Sequence, residues 1–555
     1  MRMMAAYPTD IRSFTKILHP KKKVLDLALL LFLSSTIFAA VWAGFRLVTP
    51  AIIHVSAFDY WFDGDSPDVY NQFLYRLGGD WHWRTSHHPL FSLVSFSTTY
   101  LIRKAFHVSP ETAVVIIMAI AASLWISSLF ILLRALRLKP IDAAVFCILA
   151  SMSASAIFWF PVPETFSFGA LSIMVAVAVV ALSERVGHLP LWVYLLISAC
   201  TLSITTTNWM AGLAMLFALL SWKKALKVAI ASLGIVIIAA AIQKALLPHT
   251  QFFIKILGPM ETFYVFHPFA LGAIAKANVF FFHSVIMPEI KEAYNSYMSV
   301  QGVLPGAGSL LATIGVIMWV SLLALAVWGF RKYKGSKASM VLVLIIVGQL
   351  LLHIVYGKET FLFSLHFAPL LVAFSAMSTL TPARKIALVL ATVLAVLAGV
   401  NNIQKFVRAA DQIEQRYQQE YAFIKHIGEL TEPESLIIFG ERPFGGWPSI
   451  RMGRLHRLGR SQVERKGWGV PFEDWSIKLI ENLRRKGAKY FVTNYIYGLE
   501  QNLAFTQTMA KRYRLLEPSH TSVEVTSKWV IYRLDKPSKA KPYDSKRSSD
   551  LFSIN

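Results

Sequence analysis

Residues 58–70, "FDYWFDGDSPDVY", gather four carboxylates, Asp59, Asp63, Asp65 and Asp68, among Phe, Tyr and Trp. Acids set among aromatic rings suit general-base chemistry, because partial desolvation raises an aspartate pKa towards the range where it takes a proton from an attacking hydroxyl. Asp65 is the candidate base, with Asp63 and Asp68 as helpers. The same residues also read as a helix start, with Asp65 or Ser66 as cap and Pro67 at the first helical position. The two readings are compatible, since a capping aspartate can also face a site.

Further groups with chemistry follow along the chain. His87 and His88 precede Pro89 and could orient the next helix, bind an acceptor, or ligate a metal with one of the acids. Adjacent side chains diverge, so the pair alone makes a poor metal site. Glu164 lies in "FPVPETFSF", and Lys358 and Glu359 lie in "VYGKETFLFSLHFAPL". Lys358 is either a point charge for an anionic leaving group or a snorkelling interfacial lysine. Asn208 in "TNWM" is a weaker candidate.

The elements that position these groups are set by composition. The chain of 555 residues is 55% hydrophobic and only 16% charged, with a mean hydropathy of +0.51. That is the profile of a polytopic membrane protein, not a soluble one. Val24 to Phe45 reads as a retained first span, too long for a signal peptide. Ten more candidate spans are Thr112 to Leu133, Ile141 to Phe160, Phe166 to Leu182, Leu191 to Thr207, Ala211 to Trp222, Val228 to Leu247, Ser309 to Gly329, Ser339 to Tyr356, Phe363 to Leu380 and Ile386 to Val400. Pro89 to Ile102 is short for a span. If it re-enters or lies at the interface, then "RALRLKP", "SERVGH", "KKALK", "RKYKGSK" and "PARK" all share the N-terminal, cytoplasmic side, as the positive-inside rule requires. The acids, His87, His88, Lys358 and Asn208 then share the opposite face. Mid-span ionisable groups, the mark of a translocation path, are nearly absent, while His353 and His366 lie close to the outer loops.

The formal charge of +23 sits largely at span ends, so it does not argue for nucleic acid. Two cysteines, Cys147 and Cys200, exclude a disulfide framework and a Cys-rich metal site. The domain plan is a membrane domain over residues 1–401, with residues 46–111 as the first outer loop. A small outer α/β domain over 402–535 and a polar, disordered tail over 536–555 follow. In the outer domain "SLIIFG", "AKYFVTN" and "KWVIYRL" read as strands, and "EDWSIKLIENLRRKG" as an amphipathic helix. The residue 248–308 loop is unusually apolar, as expected of a groove for an isoprenoid tail or of an aromatic belt. "RMGRLHRLGR", residues 451–460, is a basic run suited to anionic headgroups or to solvent.

The order Asp65, Tyr70 and then "HHPL" (His87 to Leu90) resembles the first outer loop of the C-type, polytopic membrane glycosyltransferases, the superfamily of protein O-mannosyltransferases and the lipid A aminoarabinose transferase. The motif covers about thirty residues and lacks the second Pro of the family pattern, while the many-span plan is similar over most of the chain. The resemblance implies an inverting hexosyl- or pentosyltransferase acting on a polyprenyl-phosphate-linked sugar donor, with a glycan, lipid or protein of the cell envelope as acceptor. It implies Asp65 as base and a basic residue near Lys358 for the lipid phosphate. His87, His88, Glu164, Glu359 and Tyr70 are then substrate-binding candidates. Some members need a divalent cation; no pattern here requires one. The expected location is a bacterial inner membrane, with a cytoplasmic N-terminus and an extracytoplasmic C-terminal domain. Two rival functions are a transporter or flippase of lipid-linked saccharide, and a glycan polymerase or ligase using a diphosphate-linked donor.

Overall fold

A computed structural model describes residues 20–53, 60–76, 83–187, 189–253, 263, 266–267, 272–293 and 297–430. In the C-terminal part it describes 436–440, 466–470, 476–485, 487–494, 508–509, 511–516 and 529–537. Asp59, the basic run at 451–460, most of the 254–271 segment and the tail beyond 537 lie outside the described residues.

Apolar composition is expressed as long helices: α1 (Pro20–Ile52), α2 (Ser66–Leu74), α3 (Phe91–Phe106), α4 (Pro110–Ala135), α5 (Pro140–Ser151), α6 (Ala154–Trp159) and α7 (Phe166–Val186). There follow α8 (Leu191–Ile204), α9 (Trp209–Leu219), α10 (Trp222–Leu246), α11 (Ala273–Asn278), α12 (Leu310–Tyr333), α13 (Lys337–Val355), α14 (Ser364–Ala376) and α15 (Arg384–Leu430). Among the described residues eight helical segments are long and apolar enough to cross a membrane, and three shorter apolar helices accompany them. The protein is a mainly α polytopic membrane protein. Leu31, Phe32, Ile230, Ile238, Leu351 and Val396 are exposed, as lipid-facing side chains must be. The centre is formed by α7 and α14, whose apolar windows are 78% and 83% buried, against 17% for α1.

Helix starts follow local chemistry. Ser109, Ser309 and Ser336 cap α4, α12 and α13 by accepting from the backbone N–H three residues on. The Glu184 carboxylate also accepts from Lys337 N and Ala338 N, placing negative charge on the α13 N-terminus. Two ion pairs tie helix ends together. Arg134 grips Asp26 at 2.7 and 3.0 Å, and Arg384 grips Asp142 at 2.8 and 2.6 Å.

Three details differ from the sequence reading. The expected span Ile141 to Phe160 is two helices, α5 and α6. Ser153 restarts the chain by accepting from Ala156 N, and the Asn402 side-chain amide donates to Met152 O and Val285 O at the break. The helix of Pro89 to Ile102 runs instead over Phe91–Phe106 and is not among the eight long segments. The last span does not end near 401 but continues as one helix to Leu430.

Compact units divide the chain into Met1–Ile53 with Trp61–Asp411, and His54–Tyr60 with Gln412–Asn555. The first unit also holds a hairpin, β1 (Lys291–Ala293) and β2 (Tyr297–Ser299), with Glu292 opposite Met298. The second unit carries, among the described residues, a five-stranded sheet of β3 (Leu436–Gly440), β4 (Lys466–Val470), β5 (Ala488–Asn494), β6 (Tyr513–Leu516) and β7 (Trp529–Pro537), accompanied by the helix α16 (Ile477–Arg485). Strand order is β4-β3-β5-β7-β6; β3 is parallel to β4 and β5, and β7 is antiparallel to β5 and β6.

Candidate active site

An aromatic platform holds the candidate loops. Trp61 and Phe62, expected to surround the acids, turn inward and are buried. Phe62 packs edge-on to Phe158 at 5.6 Å and Phe361 at 5.0 Å. Trp61 Nε1 donates to Phe158 O at 3.2 Å and Trp159 Nε1 to Phe361 O at 2.9 Å. Phe62 and Asp63 have positive φ, 53° and 61°, a strained choice for Phe that its burial offsets. A Cβ at Gly64 would stand 3.0 Å from Trp61 O and 3.3 Å from the Trp159 ring, so this turn lies close against the platform and a side chain there would have to push its neighbours aside by a few tenths of an ångström. The first loop, the 160–165 loop and the 356–363 turn are thereby joined at one place.

On that support α2 begins at Asp65. Asp65 takes the cap position and Pro67 the first turn, yet its carboxylate makes no cap hydrogen bond. It pairs instead with Arg84 of the turn Trp83–Ser86. Ser66 Oγ donates to Glu164 Oε1 at 3.0 Å, and Thr165 N donates to Glu164 Oε2 at 3.2 Å. Glu164 is fully buried, and burial pushes its carboxyl up to about 6, with the Asp68 charge adding and Arg84 and the two hydrogen bonds opposing. Asp65, Asp68, Glu164 and Arg84 therefore form one cluster. Asp68 is buried at 8% exposure, while the Asp65 side chain keeps 31% and is open to an incoming group. Tyr70 is buried on α2.

His88 is buried, with Nδ1 3.0 Å from Ile204 O and 3.1 Å from Thr205 Oγ1. Burial, and then the Arg84 charge, hold its imidazole well below the usual range, so it is neutral. Leu90 N donates to Ser203 O at 2.8 Å and Thr206 N to His87 O at 3.1 Å, stitching "HHPL" to the end of α8. Gln243 accepts from Leu93 N and donates to Pro89 O. This arrangement fits the orienting role for His88. Among the described residues, no group of three or more His, Cys, Asp or Glu could hold a metal ion.

Glu359 occupies a neighbouring buried position. It receives the Ser299 hydroxyl from β2 and the Phe361 N–H. Burial pushes its carboxyl up to about 8, with the Asp63 charge adding. Lys358 beside it is half-buried.

Arg84 and Lys276 were missed as candidates. Arg84 is one of two arginines, with Arg76, in the acid-rich stretch between Asp59 and Pro89, and that contrast in sign was the available signal. Lys276, in "AIAKAN", is buried, and its Nζ donates to Ile354 O at 3.1 Å. It has no carboxylate partner among the described residues, and burial lowers its ammonium to about 8. Just beyond it Phe281 and Phe282 line an apolar cavity of about 380 Å³ with Val320, Leu323, Ile346 and Phe374.

Two solved structures resemble the chain in shape. One is the cryo-EM structure of the arabinofuranosyltransferase AftD from mycobacteria, with a TM-score of 0.45 and 12% identity over 92% of this chain and 40% of that one. The other is a mutant of the same enzyme, with a TM-score of 0.45 and 11% identity over 91% of this chain and 42% of that one. The chain thus spans about two fifths of the length of these structures. No family model and no curated protein matches.

Proposed function

We propose that the protein is a membrane glycosyltransferase that moves a sugar from a polyprenyl monophosphate to a cell-envelope acceptor with inversion. The observation that carries the reading is the Asp65–Arg84–Glu164 cluster, set at the heads of apolar helices with its most open acid, Asp65, held by an arginine. The Arg84 guanidinium fixes the orientation of the Asp65 carboxylate, whose side chain remains 31% exposed and so reachable by an acceptor hydroxyl. In the proposed step an acceptor hydroxyl attacks the anomeric carbon. Its proton passes to Asp65, and the bond from that carbon to the phosphate oxygen breaks, leaving polyprenyl phosphate. Asp63 and Asp68 tune the local charge, while His88 holds the loop that carries Arg84.

The leaving phosphate needs a cation. Lys276 is buried with no acid to balance it among the described residues, the arrangement expected of an anion ligand, since a buried ammonium alone is costly. The apolar cavity beside Phe281 and Phe282 suits an isoprenoid tail, in the segment whose apolar character raised that expectation. Lys358 stands nearer the surface and would meet the acceptor side.

The test is turnover by the full-length protein in proteoliposomes, with one sugar offered on a polyprenyl monophosphate and on a polyprenyl diphosphate. Release of polyprenyl phosphate from the first donor only is the expected result. Preference for the diphosphate donor would move the protein to the polymerase or ligase class. Movement of intact lipid-linked saccharide across the bilayer, without release, would make it a flippase.

A further inference from the structure

Hydrogen-bonding groups from α13, α14 and the turn before α9 gather beside α7. A Cβ at Gly169 would stand 2.3 Å from His366 Nε2 and 2.9 Å from Asn208 Nδ2, so these two groups are neighbours across α7. The His366 ring lies 6.5 Å from that of His353, whose Nε2 is 3.0 Å from Gln349 Oε1. Both Asn208 side-chain atoms, His366 Nε2, His353 Nδ1 and Gln349 Nε2 are buried and meet no hydrogen-bond partner among the described residues. Single orphans of this kind occur in folded proteins. Four residues with unmet polar atoms in one region are rare, because each forfeits hydration without return. The cluster adjoins the candidate active site: His366 lies within electrostatic reach of His88 on one side, and Lys276 within reach of His353 on the other.

We infer that this cluster seats the sugar ring of the donor, with its phosphate on Lys276, and that the sugar is uncharged. The inference rests on the transferase reading above and adds the substrate class. Sugar hydroxyls both donate and accept. They match an Asn with both atoms unmet, a Gln amide and two imidazoles. Among the described residues the cluster itself contains no carboxylate, and in the adjoining site Asp65 is engaged with Arg84 and Glu164 with Ser66 and Thr165, which leaves none to hold an amino sugar. With Arg84 on Asp65 and Lys276 on the phosphate, no cation is left among the described residues beside it for a uronate.

The experiment compares lipid binding by the full-length protein in nanodiscs. The probes are bare polyprenyl phosphate and the same lipid carrying mannose, arabinofuranose or an amino sugar. Wild type is expected to bind at least one neutral glycosyl lipid about tenfold more tightly than the bare lipid, and to give the amino sugar no such gain. Asn208→Ala and His366→Ala should abolish the gain while keeping affinity for the bare lipid, which also shows that they fold. Lys276→Gln should weaken all of the lipids together. Parallel loss of bare and glycosyl lipid in the Asn208 and His366 variants, an unchanged gain, or a preference for the amino sugar overturns the inference and leaves the transferase reading standing. Wild type that binds none of these lipids overturns both.

Discussion

Replacing Glu359 with Gln should flatten the pH dependence of stability at this position. Glu359 is fully buried, and its carboxyl is pushed from an ordinary 4.5 up to about 8, burial being the largest cause. At pH 7 roughly nine molecules in ten then carry the proton. The folded pKa lies above the unfolded one, so the folded state binds more protons between about pH 4.5 and 8. Stability from this group is full below that window and falls as pH rises through it, by at most ~1.4 kcal/mol per pH unit. Between pH 5 and 7 the loss is roughly 2–3 kcal/mol. Gln keeps one oxygen for the Phe361 N–H and puts its amide NH2 against the Ser299 oxygen, where it donates instead of accepting, and it does not titrate. Thermal unfolding in detergent, wild type against Glu359→Gln from pH 5 to 8, should show wild type losing a few degrees more than the variant. Other titrating groups are common to both proteins and cancel. Parallel curves would show that Glu359 is ionised in the fold and would refute the burial argument.

Asp142 has 2% side-chain exposure and Arg384 32%, so breaking their ion pair should be asymmetric. Arg384→Ala strands a buried charge and should cost about 3–5 kcal/mol, whereas Asp142→Ala frees an arginine that can reach water and should cost much less. Equal melting temperatures for the two variants would contradict this. Gly169→Ala adds a methyl that clashes with His366 and Asn208, and should destabilise by about 1–3 kcal/mol, read by thermal shift. His88→Ala removes the tie to Ile204 and Thr205 and should lower kcat by loosening the loop that carries Arg84. Its pH profile should keep the wild-type shape, because the lost imidazole is neutral throughout; a vanished titration limb would instead make His88 a proton carrier.

The acids and their loops were legible because polar residues in an apolar chain stand out, and because charge placement at span ends sorts the loops. Strands β3, β5 and β7 showed through β-branched and aromatic runs. The "KGWGV" of β4 hid its strand behind two glycines, and the "YRLL" of β6 was too short to show alternation. The break between α5 and α6 depends on Asn402, some 250 residues away, and no local pattern carries that information. Lys276 was missed because a lone basic residue near an apolar run looks like a snorkelling side chain until tertiary packing buries it, and Arg84 because its pairing with Asp65 appears only once the loop is folded. His88 was visible, but its neutral, stitching role came only from the backbone of α8.

The measurement that bears most directly on the central claim is single-turnover release of polyprenyl phosphate by wild type and Asp65→Asn, with donor binding measured on the same samples. Asn keeps the size of the side chain and removes the base. The account predicts donor affinity within a few fold of wild type and a rate lower by about 10²–10⁴. A variant that turns over at the wild-type rate would contradict the assignment of Asp65, and wild type that never cleaves the donor would contradict the transferase itself.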